Sequence, residues 1–270
     1  MNILHAFILG ILQGLTEFIP VSSTAHLLIA GRLLGISESD AAVFAFNVLV
    51  QLGTTLALIL YFWKDLIILL KAFFAKPFST QENRLAWYIL IATIPALLAG
   101  VLLKKLVADL FATPLMAAAL RLLAAAILLA LAEWLGKRTR RLESMTWRDS
   151  LFIGLMQVLA VFPGASRSGT TISGGMFLGF DRPSAARFSF LMSVPILLAA
   201  GGYETVDLLR HGSGLGDFLP LAVGFVAAGI IGWLSIKWLL AYLNKNSLYV
   251  FAIYCAALCA VCVALQWIIG

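Results

Sequence analysis

The chain has 270 residues, 62% of them hydrophobic and 12% charged, with a formal net charge of +6 and a mean hydropathy of +1.00. A soluble domain carries about 25% charged residues, so this composition excludes one, and its apolar content excludes a disordered chain. Apolar runs that are continuous rather than alternating exclude a β-barrel; at roughly 20 residues per crossing they leave room for about six to ten membrane segments in an all-α, polytopic helix bundle. The Lys and Arg residues sit in short loops between apolar runs. That placement reads as topology control and contact with membrane lipids, with no nucleic-acid partner.

In chain order, the first apolar stretch covers 2–35 and is broken by Pro20-Val21-Ser22-Ser23-Thr24. It lacks a basic lead and runs into Glu17, so it reads as part of the fold rather than a removable signal. Full spans are predicted at 42–62, 85–104 and 113–135. After the basic segment Lys137–Arg141 comes a second broken stretch, 150–181, interrupted by Pro163-Gly164-Ala165-Ser166-Arg167-Ser168-Gly169. Further spans are predicted at 186–203, 218–241 and 248–269. Each half of a broken stretch is too short to cross comfortably. Non-helical backbone at membrane depth is tolerated where it is buried in protein or lines a wet cavity, so both stretches read as re-entrant helix–loop–helix hairpins. Cys255, Cys259 and Cys262 share a face of the last span and read as small packing residues.

The two broken stretches resemble each other. Gly10-Ile11-Leu12-Gln13 matches Gly154-Leu155-Met156-Gln157; at the same offset Ser22 matches Ser166, and Phe44 and Phe46 match Phe188 and Phe190. The chain therefore reads as one membrane domain of two repeats, about 1–136 and 148–270, each with one hairpin and three spans. An odd number of spans inverts the second repeat, a known way to build a site at the bilayer midplane. The connections 64–84, 136–149 and 237–245 are basic, whereas 204–217 carries Glu204, Asp207 and Asp217 against Arg210. Positive-inside orientation puts the basic connections in the cytoplasm and both termini outside.

Charges inside the apolar stretches are few. Glu17 and Arg167 lie at the two breaks and His26 follows the first; an ionisable group at membrane depth marks a candidate site. A plain Glu17–Arg167 ion pair between repeats leaves the hydroxyls unexplained: Ser22, Ser23 and Thr24 in one break, and Ser166, Ser168, Thr170, Thr171 and Ser173 in the other, exceed what helix capping needs. Helix N-termini bind phosphate through free N–H groups. Gly164 and Gly169 allow close approach of backbone amides, and Arg167 is a bidentate phosphate partner. Two such termini face to face suit a diphosphate. Gln13 and Glu17, one helical turn apart, share a face. A carboxylate beside a phosphate cradle implies an intervening cation or proton. Glu17 and Gln13 then bind a divalent cation, Mg²⁺ or Ca²⁺, with phosphate oxygens, or Glu17 acts as acid or base. The scattered His5, His26 and His211 argue against zinc. His26 follows Ser23 closely enough to take its proton or to attack phosphorus itself. The residues alone indicate a membrane-embedded site for a lipid-linked phosphate ester and leave hydrolysis and transport both open.

The segments Gln13-Gly14-Leu15-Thr16-Glu17-Phe18-Ile19-Pro20-Val21-Ser22-Ser23-Thr24-Ala25-His26 and Pro163-Gly164-Ala165-Ser166-Arg167-Ser168-Gly169-Thr170-Thr171 resemble the two signature motifs of the undecaprenyl-diphosphatase family, also called bacitracin-resistance proteins. The resemblance covers essentially the whole chain. It implies hydrolysis of undecaprenyl diphosphate to undecaprenyl phosphate and inorganic phosphate, which recycles the carrier lipid for cell-wall synthesis. It also implies a site opening to the outer face of the bacterial inner membrane, divalent-cation dependence and bacitracin resistance. Gln13 and Glu17 match a Glu/Gln-x-x-x-Glu pair, in which Glu17 alone supplies a carboxylate here. Ser22, Ser23, Thr24 and His26 match the first loop, and Ser166, Arg167, Ser168 and Thr171 the second. Ala25 stands where the family often has Gly. On this basis Glu17, Ser23, His26 and Arg167 are the expected catalytic residues; Gln13, Ser22, Thr24, Ser166, Ser168, Gly169 and Thr171 contact substrate. Ser23 or His26 is the nucleophile, with a lean to His26 as base or nucleophile. An acid-phosphatase-like lipid phosphatase fails, because the one histidine after Arg167 is His211 and the Asp it needs is Leu215. The rival from another class is a polyprenyl-phosphate transporter, since inverted repeats suit alternating access. The small-residue face Gly175-x-x-x-Gly179 is compatible with a homodimer or with packing inside one chain.

Overall fold

The computed structural model describes residues 1–36, 41–103, 106, 114–161, 165–210 and 218–269. In chain order the helices are α1 (Ile3–Thr16), α2 (Ser23–Leu33), α3 (Ala41–Tyr61), α4 (Trp63–Phe73), α5 (Gln81–Leu102) and α6 (Pro114–Leu135). The second half holds α7 (Trp147–Val158), α8 (Arg167–Phe177), α9 (Arg182–Arg210), α10 (Phe218–Leu243) and α11 (Tyr249–Ile269). Among the described residues, α3, α5, α6, α9, α10 and α11 are long and apolar enough to cross a bilayer. The protein is a multi-pass membrane helix bundle. At about 1.5 Å per residue, the 14, 11, 12 and 11 residues of α1, α2, α7 and α8 fall short of a crossing. They pair as α1–α2 and α7–α8, in the two broken stretches.

The expected spans coincide with these helices except at their ends; α9 runs on to Arg210, well past residue 203. The 64–84 connection, expected as a basic loop, contains α4. Asp65 in its first turn and Lys71 in its last suit the helix dipole, Leu69 is buried, and the helix packs on α5. Eleven residues hide this helix from a search for full crossings. Helix starts are set by side-chain caps: Asn2 accepts from the His5 amide at 2.8 Å, Thr80 from the Asn83 amide at 3.1 Å, and Thr146 with Asp149 forms a reciprocal capping box. Pro95 and Pro195 lie inside α5 and α9, as membrane helices permit when neighbours satisfy the freed carbonyls.

The two halves interlock. α1 packs on α10, α7 on α5, α6 along α11, and α3 against both α9 and α10. The first two crossings use glycines that correspond in sequence. A Cβ on Gly10 would stand 2.5 Å from the Gly224 carbonyl oxygen, and one on Gly154 would stand 2.5 Å from that of Ala92. Backbone meets backbone at both places, as small residues allow between membrane helices. Gly175 packs inside the chain as well, with a Cβ there only 2.9 Å from the Ala185 Cβ. The core holds Phe18, Phe62, Phe188 and Phe190, fully buried, with Phe18 edge-on to Phe190 at 5.7 Å. Cys255 and Cys262 are buried free thiols, as their packing role requires.

The basic segment between the halves is stapled rather than loose. Arg140 exchanges backbone hydrogen bonds with Gly179 and Asp181, lies 4.3 Å over the Phe180 ring, and donates to both carboxylate oxygens of Asp149 at 3.0 and 2.7 Å. Burial raises the Asp149 pKa, but hydrogen bonds from Arg140 and Thr146 and the Arg140 charge outweigh it and hold the carboxyl below its ordinary value.

Candidate active site

Glu17 caps the C-terminus of α1, and Arg167 is the first residue of α8. Each charge opposes the local helix dipole, which favours cations at C-termini and anions at N-termini. Helix stability alone selects neither residue. They offset each other: Arg167 Nη2 donates to Glu17 Oε1 at 2.7 Å. The other carboxylate oxygen, Oε2, accepts from Ser23 Oγ at 2.7 Å and from Gln13 Nε2 at 3.0 Å. One carboxylate therefore joins α1, the start of α2 and the start of α8.

The two elbows also meet through backbone. Ser168 Oγ donates to the Ile19 carbonyl at 3.4 Å, and a Cβ on Gly169 would lie 3.7 Å from that of Pro20. Both α2 and α8 lean on α6. The second elbow is ordered by Ser166, which caps α8 by accepting from the Gly169 amide at 3.1 Å and lies 3.3 Å from Ser168 Oγ. Pro163 and Gly164, expected in this cradle, lie outside the described residues, as does His211.

Ser22 carries the strain of the first elbow. Its φ of 69° is left-handed, a region that disfavours side chains. This conformation lets Ser22 Oγ accept from the Ala25 amide at 3.4 Å while its carbonyl meets His26 Nδ1 at 2.7 Å.

The expected site residues thus separate. Gln13, Glu17, Ser23 and Arg167 come together in one hydrogen-bonded group. Ser22 and Ser166 are caps beside it. Thr24 is exposed in the first turn of α2. Thr171 turns from the elbow to Ser189 on α9, 2.6 Å away. His26 Nε2 faces Tyr254 Oη of α11 at 2.6 Å, and contacts neither Ser23 nor Glu17 among the described hydrogen bonds. Sequence reasoning missed Tyr254 and Ser189. Tyr254 had one signal, as the sole hydroxyl between Val250 and Ile269; Ser189 had none.

The elbows are unequal. The position matching Glu17 in the second half is Val161, so Gln157, the match of Gln13, has no carboxylate beside it. Its buried side-chain amide makes no hydrogen bond among the described residues. Acid and guanidinium come from different elbows, and a single composite site results. Among the described residues Glu17 is the one carboxylate hydrogen-bonded to both elbows, and no three His, Cys, Asp or Glu cluster as a metal site. Beside that carboxylate Gln13 turns its amide nitrogen, which donates to Oε2; a hard cation there would take oxygen ligands, so the Gln13 amide has to rotate before its own oxygen can join Glu17.

Fold and site together define a polytopic membrane protein with a polar centre built from two broken helices, suited to a phosphorylated lipid. The chain belongs to the bacitracin resistance protein BacA family, whose model matches residues 6–261. It is 47% identical over 266 residues to a protein of Anaeromyxobacter dehalogenans, covering 94% of this chain and 88% of that one. Identity is 42% over 266 residues to a protein of Chloroherpeton thalassium, with 94% and 93% covered, and 41% over 261 residues to one of Trichormus variabilis, with 94% and 81% covered. All three relatives bear the name undecaprenyl-diphosphatase.

Proposed function

We propose that this protein hydrolyses undecaprenyl diphosphate to undecaprenyl phosphate and inorganic phosphate, recycling the carrier lipid for cell-wall synthesis and conferring bacitracin resistance. The observation that carries the reading is the Glu17 carboxylate, held at 2.7 Å by both Ser23 and Arg167. A hydroxyl, a base and a phosphate-binding cation are thereby assembled from the two elbows. The names of the relatives favour hydrolysis over a carrier function.

Geometry supports Ser23 as nucleophile over His26, because the Ser23 hydroxyl already points at a carboxylate while His26 is turned to α11. Ser23 Oγ attacks the terminal phosphorus as Glu17 Oε2 accepts its proton. The Oγ–P bond forms, the bridging P–O bond breaks, and undecaprenyl phosphate leaves with that electron pair. Water oxygen then bonds phosphorus and the Oγ–P bond breaks; the proton held by Glu17 passes back to Oγ, one water proton goes to the Glu17 carboxylate and from there to solvent, and inorganic phosphate is released. Arg167, released from Glu17, and the amides at the start of α8 stabilise the phosphoryl oxygens. Glu17 and Gln13, the latter once its side-chain amide turns its oxygen inward, would hold a divalent cation, Mg²⁺ or Ca²⁺, jointly with the diphosphate. When bound, the cation neutralises phosphate charge.

The reciprocal crossings α1 on α10 and α7 on α5 support two inverted repeats, 1–136 and 148–270. The basic Lys137–Arg141 segment supports placing that end of α6 in the cytoplasm, with the site opening to the periplasmic side of the inner membrane. The test is phosphate release from an isoprenyl diphosphate by purified protein in detergent, with Mg²⁺, Ca²⁺ or chelator. The expected result is release that stops with chelator and in Glu17→Gln. Binding without release, together with lipid movement in vesicles, would replace this reading by the carrier.

A further inference from the structure

His26 is held through both ring nitrogens by groups from different parts of the chain. Nδ1 lies 2.7 Å from the Ser22 carbonyl, and Nε2 lies 2.6 Å from the hydroxyl of Tyr254, 228 positions away. A carbonyl oxygen can only accept, so Nδ1 carries the hydrogen. The neutral ring then has its lone pair at Nε2, where the Tyr254 O–H donates. The two rings are parallel within 1°, with centroids 5.6 Å apart. His26 is 8% exposed and Tyr254 44%. A residue that merely filled this place would need no hydroxyl, and α11 presents no other between Val250 and Ile269. The left-handed turn at Ser22 aims the carbonyl that completes the clamp.

We propose that Tyr254 is a positioning residue for the hydrolysis: it and the Ser22 carbonyl fix His26 as the Nδ1–H tautomer, with Nε2 as the one ring atom able to take a proton and the Tyr254 O–H as the donor that faces it. The catalytic part of this assignment rests on the phosphatase reading above. It gives α11, which contributes nothing else to the Glu17 group among the described hydrogen bonds, a defined part in the site. It also gives His26 a task distinct from attack on phosphorus.

The experiment compares wild type with Tyr254→Phe, which keeps the ring and removes the hydroxyl, using the full-length chain in detergent. ¹⁵N-histidine spectra, with His26→Gln to assign the resonances, read the tautomer directly. Expected for wild type are a protonated Nδ1 and an unprotonated, hydrogen-bonded Nε2. In Tyr254→Phe the Nε2 resonance moves toward that of an unbonded pyridine-type nitrogen. In the same variant kcat for phosphate release falls about 10-fold or more, with KM and the unfolding temperature unchanged. The proposal is overturned if wild-type His26 is protonated at both nitrogens at neutral pH, or if Tyr254→Phe leaves either the Nε2 resonance or kcat at its wild-type value. A wild-type protein that releases no phosphate overturns the phosphatase reading and the catalytic clause with it, while the spectra still decide the tautomer.

Discussion

Glu17 and Glu133 are the same device in two settings. Each is an acid at the C-terminal end of a helix, paired with an arginine that begins another: Arg167 of α8 for Glu17, Arg182 of α9 for Glu133. Glu133 is closed by two arginines and by one donor that cannot move. Arg138 and Arg182 both bind it, Arg182 through two nitrogens, and the Leu248 backbone amide donates at 3.0 Å. Glu17 receives side chains alone among the described hydrogen bonds, namely Gln13, Ser23 and Arg167. A backbone amide cannot leave without unfolding the turn that carries it, whereas a hydroxyl rotates and a guanidinium swings. The first arrangement is a clamp joining α6, α9 and α11. The second is a centre whose partners can be handed to a ligand.

Several substitutions test that contrast. The largest effect on stability is expected at Glu133→Gln, which leaves two arginines facing an amide and should cost about 3–5 kcal/mol in denaturant unfolding. Phosphate release per folded molecule should stay at the wild-type level; a strong loss of turnover would erase the distinction. Glu17→Gln should do the reverse, lowering phosphate release by about 10²–10³-fold with a smaller stability loss than Glu133→Gln. The reason is that Ser23 and Gln13 can reorient to an amide where Leu248 cannot. At the first elbow, Ser22→Ala should lose about 1 kcal/mol, because the cap of the Ala25 amide disappears while the left-handed φ stays. Ser22→Gly should be near neutral, since relief of strain offsets the missing cap. Equal losses in the two variants would show that the turn is not strained. The smallest effect concerns Arg140–Asp149, a peripheral pair. Because the folded Asp149 pKa is depressed, its contribution is present at neutral pH and is lost as pH falls from about 5 toward 2. Asp149→Asn should lower thermal stability at neutral pH and flatten that acid limb, so that the two proteins converge at low pH.

Legibility differed between the parts of the molecule for physical reasons. The six crossings were readable because a bilayer demands long apolar runs, and Ala42–Tyr61 or Phe218–Leu243 leave no other assignment. The elbows were readable because Pro20 and Pro163, with hydroxyls and one charge each nearby, have no place in a plain span. Helix α4 was not, since a short amphipathic segment resembles a loop by charge and half a span by hydropathy. Glu17, Ser23, His26 and Arg167 were expected as the catalytic residues, with Gln13 beside Glu17; Gln13, Glu17, Ser23 and Arg167 share one hydrogen-bonded group, and His26 does not join it. Thr171 was expected to contact substrate and instead bonds Ser189 within the bundle, because a hydroxyl in a buried helix finds the nearest acceptor. The orientation of His26 was beyond reach, since its direction is set by Tyr254 in a helix from the other end of the chain.

The sequence by itself determined that this is a membrane protein, where its helices cross, where they break and which residue types sit at the breaks, since each follows from local hydropathy and backbone chemistry. The tertiary structure alone decided which charge meets which, that Arg167 rather than water answers Glu17, and that an aromatic hydroxyl from α11 holds the histidine. Those pairings depend on how interlocked helices cross, through contacts such as Gly10 on Gly224 and Gly154 on Ala92. Separation along the chain carries no information about such distances.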